Sequence, residues 1–175
     1  MSRRAQDRKS RAMLHYFSGA GGRAAVSQRN PIKLFVSHVW EENDDYFRVF
    51  EFLESDSNFY YQNFSTPEKR PVGDKEVLRE DLRKQISPAE IVIVPSSLCR
   101  KHGDLILFQM NYAKASDKPV LLLESYGVKE QIPKPVRDLA DEVIDWDKRT
   151  LVDAIRRHAR HEETHRWDTI EFKLD

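Results

Sequence analysis

Cysteine is nearly missing from this sequence: Cys99 stands alone in 175 residues, which excludes an internal disulfide and any zinc cluster built on cysteines. Long apolar runs are missing too. None approaches the roughly 20 residues needed to cross a bilayer, so no membrane span is expected. The N-terminus is basic, but its longest apolar stretch is only a few residues, and no secretory signal is expected there. A lone thiol without span or signal suits a reducing, cytoplasmic compartment. Net charge is the last absence, with 29 basic and 29 acidic side chains.

That zero conceals an asymmetry. Residues 1–30 hold seven basic side chains against Asp7, a charge of +6, while the other 145 residues hold 22 basic and 28 acidic ones, a charge of −6. A basic arm on an acidic body suits nucleic acid, an anionic surface or the acidic face of another copy; a merely solvated tail has the same composition. What remains, 39% hydrophobic and 33% charged, describes one water-soluble globular domain. From Ser18 to Asn30 the chain is rich in Gly, Ala and Ser without apolar periodicity. Residues 1–30 therefore read as an arm, with a short helix around Arg4 to Phe17. Residues 31–162 read as an α/β domain, and 163–175 as a closing segment whose alternation from Trp167 to Leu174 suits an added edge strand.

Lys33 to Ser37 suits a buried strand. Asp44 and Asp45 open a helix to about Glu54, with Asp44 placed to cap it. Asn58 to Asn63 is a weaker strand, and Phe64 to Gly73, with Pro67 and Pro71, a long loop. Asp74 caps a helix carrying Val77, Leu78, Leu82 and Ile86 at helical spacing. Ala89 to Val94 is the clearest strand, stopped by Pro95. Gly103 to Ser116 is helical, Pro119 to Leu123 another strand, and Val143 and Ile144 a short last one. Lys148 to about Glu163 makes a terminal helix with Leu151, Ile155 and Ala159 inward. Strands that are continuously apolar and alternate with helices indicate a three-layer, flavodoxin-like fold with a mostly parallel five-stranded sheet. Ligands of such sheets bind beyond the carboxyl ends of the strands. Those ends are Ser37 to Trp40, the Phe64–Gly73 loop, Pro95 to Ser97, and Glu124 to Tyr126.

Several uses of this architecture are excluded by what stands at those ends. A dinucleotide fingerprint or P-loop needs glycines after the first strand; the loop here is His38 to Asp45, with four acids and no glycine. A phosphate-accepting receiver wants an aspartate where Ser96 and Ser97 stand, and a flavodoxin phosphate loop is absent.

The order of the segments resembles TIR-like domains, especially the bacterial group typified by the TIR-like subunit of Thoeris antiphage systems. The resemblance spans residues 32–125. It rests on Lys33 to His38, the Asp44 to Arg48 helix start, Ile86 to Ser97, and Asp117 to Leu122 after a helix. It implies a cytoplasmic signalling protein of prokaryotic antiviral defence that assembles with copies of itself or another defence protein, with NAD as substrate or ligand. It also implies a glutamate on the helix after the third strand, assisting cleavage of the nicotinamide–ribose bond. That position falls on Gln109. A glutamine can hold a ribose hydroxyl, but it cannot stabilise an oxocarbenium ion by charge or accept a proton.

On its helix Gln109 lies within the apolar arc, as a core amide satisfied by backbone, a ligand-facing group or an oligomer contact. Seven of the nine residues Leu105 to Ala113 are apolar, so this helix is either sandwiched inside the domain or covered by another chain. Ser37 and His38 end the first strand and can touch a nucleotide; Ser37 can equally cap. Trp40 and Phe64 are placed to stack on a base or to fill the core. Ser96 and Ser97 bring hydroxyls to the next helix. Cys99, beside Arg100 and Lys101, is activated if exposed and silent if buried. His158, His161 and His165 have spacings that suit a metal or a solvated face.

Three readings stay open: a TIR-like signalling protein with a nucleotide pocket, a non-catalytic assembly module, and a nucleoside-processing transferase. The last would draw its carboxylate from Glu41, Glu42 or Glu124.

Overall fold

The computed structural model describes residues 25–162. The arm helix at Arg4–Phe17, the Trp167–Leu174 strand and His165 lie outside them. Residues 27 and 30 form a small antiparallel bridge, after which β1 (Ile32–Val36) enters the sheet. The chain continues through α1 (Asp44–Glu54), β2 (Tyr61–Asn63), α2 (Lys75–Ile86) and β3 (Ile91–Pro95). A short 3-10 turn, Ser96–Leu98, leads into α3 (Cys99–Ala115). Then come β4 (Val120–Leu123), α4 (Lys134–Leu139), β5 (Glu142–Ile144) and α5 (Lys148–Arg160).

Successive residues of a strand face opposite ways, so strands apolar at both parities need cover on both faces. Ile32, Leu34, Ile91, Ile93, Leu121 and Leu123 pack with α1 and α5. Phe35, Val92, Val94, Val120 and Leu122 pack on the other face with α2, α3 and α4. The result is a three-layer α/β fold of the flavodoxin-like kind, with strand order β2-β1-β3-β4-β5 and every pairing parallel. β1 is interior. Strand order reverses between β1 and β3, which opens a crevice at their carboxyl ends.

Local chemistry moves several boundaries. Asn43, not Asp44, caps α1: its backbone is extended, and its Oδ1 accepts from Tyr46 N at 2.9 Å. Asp44 instead sits in the first turn, where the helix dipole favours an acid. Asp74 caps α2 as expected, accepting from Glu76 N and Val77 N. The weak second strand shortens to Tyr61–Asn63. Pro95 is the last strand residue rather than the stop after it, in register with Leu123 of β4. α3 begins four residues before Gly103 and carries a non-helical residue, His102, in its second turn.

The apolar helix α3 is sandwiched within the domain. It packs on β3, β4, α2 and α4, and its flank is closed by arginines. The Arg79 and Arg83 guanidinium carbons lie 5.3 and 5.2 Å from the Phe108 ring centroid. None of its large apolar side chains is among the exposed ones.

Candidate functional site

His38, the second residue past β1, is the hub of the site. It is 2% exposed, and three polar contacts leave it, one to α3, one to α2 and one to Trp40 in its own loop. Its carbonyl accepts from Gln109 Nε2 of α3 at 2.9 Å. Its Nδ1 accepts from the Trp40 N–H at 3.3 Å. Since Nδ1 is an acceptor, the proton must sit on Nε2, which donates to Gln85 Oε1 of α2 at 2.8 Å. The ring is thus held neutral in one tautomer. Burial lowers its pKa, against the opposing pull of Gln85 and of the Asp81 and Glu68 carboxylates.

Trp40 has φ 57°, a left-handed conformation that costs a bulky residue about 1–2 kcal/mol. The bond from its N–H to His38 Nδ1 holds it there. Its ring then becomes the floor of a cavity of about 300 Å³, at the small end of the ~300–1,000 Å³ range of ligand pockets. Tyr46 and Phe47 of α1 add aromatic walls, and Pro67, Glu68 and Arg70 close it from the loop after β2. Glu41 and Glu42 stand at the mouth. Glu41 is engaged by Lys101 at 3.1 Å and by His102 at 3.2 Å. Among the described residues Arg70 is the one basic side chain of the lining, its guanidinium carbon 6.0 Å from the Trp40 ring centroid. A cavity with three carboxylates and one guanidinium repels polyphosphate and accepts a planar ring. Phosphates would be met at its rim, by Arg70.

The loop from Phe64 to Asp74 is fastened at its root by two polar devices. Asn63 Oδ1 accepts from Ser65 Oγ at 2.5 Å, so the Ser65 proton is spent and Tyr46 O–H donates to Ser65 Oγ at 2.9 Å. Asn63 Nδ2 then donates to the Tyr46 oxygen at 3.2 Å, closing the ring of three. Burial, only partly offset by Ser65 and Asn63, raises the Tyr46 pKa. The second device is Gln85, whose Oε1 also accepts from Thr66 N at 2.9 Å.

Trp40 thus lines the cavity, while Gln109 does not. Gln109 is fully buried beneath the tip of β1, with its donor spent on backbone. Ser37 is also fully buried, and its N–H extends the ladder to Ile93 O at 2.8 Å. Ser37 Oγ, Trp40 Nε1 and Gln109 Oε1 are enclosed without a hydrogen-bond partner among the described residues. Each such atom costs about 1–3 kcal/mol. Phe64 is half-buried and its N–H pairs with Leu34 O, so it continues the sheet instead of facing the cavity. Ser96 and Ser97 gather at the neighbouring β1–β3 crevice: Ser96 Oγ lies 3.2 Å from Ser125 Oγ, and Ser97 Oγ accepts from Asn43 Nδ2 at 3.5 Å. Glu124, one of the transferase carboxylates, is at the end of β4, away from the cavity lining.

The other candidates fall outside the site. Burial pushes the Cys99 thiol up to about 11, so Arg100 and Lys101 do not activate it. His158 lies 2.8 Å from Glu142, and His161 ends α5 in a left-handed conformation. Among the described residues, no three His, Cys, Asp or Glu side chains converge as a metal site. A larger hollow of about 370 Å³ lies at the opposite, amino end of the strands. Within it Lys114 pairs with Asp141 at 2.5 Å, while Arg157 and His158 turn to Glu142. No described helix is long and apolar enough to cross a membrane.

Sequence reasoning missed Gln85, Tyr46 and Ser65. Nothing in the spacing of α2 marks Gln85, which follows apolar positions on an otherwise charged helix. No protein-family profile matches the chain, and no curated protein matches it in sequence.

Proposed function

We propose that this chain is a TIR-like signalling protein of the prokaryotic antiviral type, whose cavity beside Trp40 binds one end of an NAD-related nucleotide. The observation that carries this reading is the aromatic cavity at the carboxyl ends of β1 and β2, floored by Trp40 and closed by a loop bearing Arg70. A planar ring stacks on Trp40, and a phosphate outside the mouth meets Arg70. The usual glutamate position holds the buried, backbone-bonded Gln109. Among the described residues, the carboxylates lining the cavity are Glu41, Glu42 and Glu68. The reading is therefore a binding site first, with any cleavage of the N-glycosidic bond assigned to Glu42 or Glu68. The experiment is titration of the full chain with NAD, followed by tryptophan emission, with chromatography for released nicotinamide. Saturable quenching supports the reading, and emission unchanged at millimolar NAD rejects it.

The runner-up is a non-catalytic module that assembles with itself or another defence protein. It is favoured by two exposed apolar side chains: Val72, wholly exposed on the loop after β2, and Phe47, 52% exposed on α1. Light scattering of the full chain and of Val72→Asp tests it. A wild-type assembly that the substitution dissociates supports this second reading. The basic arm remains the candidate contact for nucleic acid. Its binding should weaken steeply between two salt concentrations in a mobility-shift assay.

A further inference from the structure

We propose that Gln85 is a positioning residue of the cavity: one side-chain oxygen holds the His38 ring and the backbone of Thr66 together, and so fixes the loop wall against Trp40. Every proton in this connection has one place. The Trp40 N–H occupies His38 Nδ1, so Nε2 carries hydrogen and needs an acceptor. Gln85 Oε1 is that acceptor, at 2.8 Å, and takes the Thr66 N–H as well, at 2.9 Å. The amide orientation is set from behind, because Gln85 Nε2 donates to Asp81 Oδ2 one turn earlier on α2, at 2.6 Å. Flipping the amide would set its NH2 against two donors and its oxygen against a carboxylate.

Its link to His38 is buried, with Gln85 8% exposed, and its links to Thr66 and Asp81 are half-buried. It ties three segments that sequence alone leaves apart: the tip of β1, the last turn of α2 and the start of the loop. Pro67, Glu68 and Arg70 follow within four residues of Thr66 and line the cavity. On the other side, Trp40 keeps its left-handed backbone through the same His38 ring. Gln85 therefore sets the distance between the two walls without touching a ligand. Its claim to serve ligand binding rests on the nucleotide reading; its claim to hold Thr66 does not.

The test compares the full chain with Gln85→Leu, Gln85→Glu, and Gln85→Glu combined with Asp81→Asn. Leucine keeps the size and removes the acceptor. Glutamate keeps the acceptor but faces Asp81 with a second carboxylate, and Asp81→Asn restores a donor there with the polarity reversed. Amide exchange of Thr66 should accelerate at least ~10-fold in Gln85→Leu, the scale of one lost hydrogen bond, with Val92 in the sheet unchanged. NAD affinity should fall by about the same factor. The double variant should return both to within ~3-fold of wild type, which filling space alone would not achieve. Unchanged Thr66 exchange in Gln85→Leu overturns the proposal. If that variant does not fold, a double variant no better than Gln85→Glu overturns it instead. Should Thr66 respond as expected while wild type ignores NAD, the positioning stands and the nucleotide reading falls.

Discussion

The Gln109 side chain is closed off from water, and its Nε2–H2 group faces the His38 carbonyl at 2.9 Å. Restoring the carboxylate that the TIR-like pattern would place there therefore sets an oxygen against an oxygen. In Gln109→Glu the lost donor and the buried charge together cost about 3 kcal/mol at neutral pH. The penalty shrinks in acid, because a protonated carboxyl can donate to the same carbonyl. Urea unfolding at pH 7 and pH 5 measures it, and a variant as stable as wild type at pH 7 would show that the amide is not needed there. Trp40 gives the converse case. Its indole Nε1 is enclosed without a partner among the described residues, so Trp40→Phe removes an uncompensated donor along with part of the ring. Thermal stability should hold or rise, while NAD binding weakens by roughly tenfold as part of the stacking surface is lost. A variant that binds as wild type does would free the indole from any role in recognition.

Among the elements, the loop after β2 depends on its single glycine as much as on its polar root. Gly73 has φ +156°, and a Cβ there would lie 2.7 Å from Val77 Cβ and Cγ2, on the first turn of α2. Gly73→Ala should cost about 1–3 kcal/mol by backbone strain and contact. Because the loop carries Arg70, it should weaken NAD binding more than a remote substitution of equal cost. Parallel melting and titration curves separate the two effects. The strands behind this loop were readable in the sequence, since Ala89 to Val94 and Pro119 to Leu123 are apolar at both parities, which only a doubly covered sheet tolerates. The apolar crowding of α3 was legible as burial, and its coverage within the domain followed only from the positions of α2 and α4. Trp40 was legible as an aromatic at a strand end. Gln85 was not, because its role depends on Thr66 and His38, 19 and 47 residues away. Asn43 was passed over for Asp44 because both residue types cap well and only the extended backbone at 43 separates them.

For the whole molecule, the pH dependence of stability should come in two stages, set at opposite ends of the sheet. At the cavity end, burial lowers the His38 pKa below its ordinary 6.5. The unfolded chain then takes up a proton before the folded one does, so stability is full above about pH 6.5 and declines as pH falls below it. At the amino end, burial alone would raise Asp141, but Lys114 and the Val120 N–H outweigh it and hold the carboxylate below its ordinary value. Glu142 behaves alike: burial is outweighed by Arg157 and His158, and its pKa is lowered. Both groups favour the fold above the ordinary carboxylate range, and that contribution is lost as pH falls through their lowered values. These pairs are partly exposed and screened, so the second stage should be shallow and should shrink further in salt. Urea midpoints from pH 8 to pH 3 should show a first decline beginning near 6.5 and a second beginning near 4.5. His38→Gln should abolish the first and leave the second, whereas Glu142→Gln should flatten only the second. If the first decline survives His38→Gln, the buried neutral imidazole is not what the fold defends against acid, and its position as the hub of the site must be abandoned.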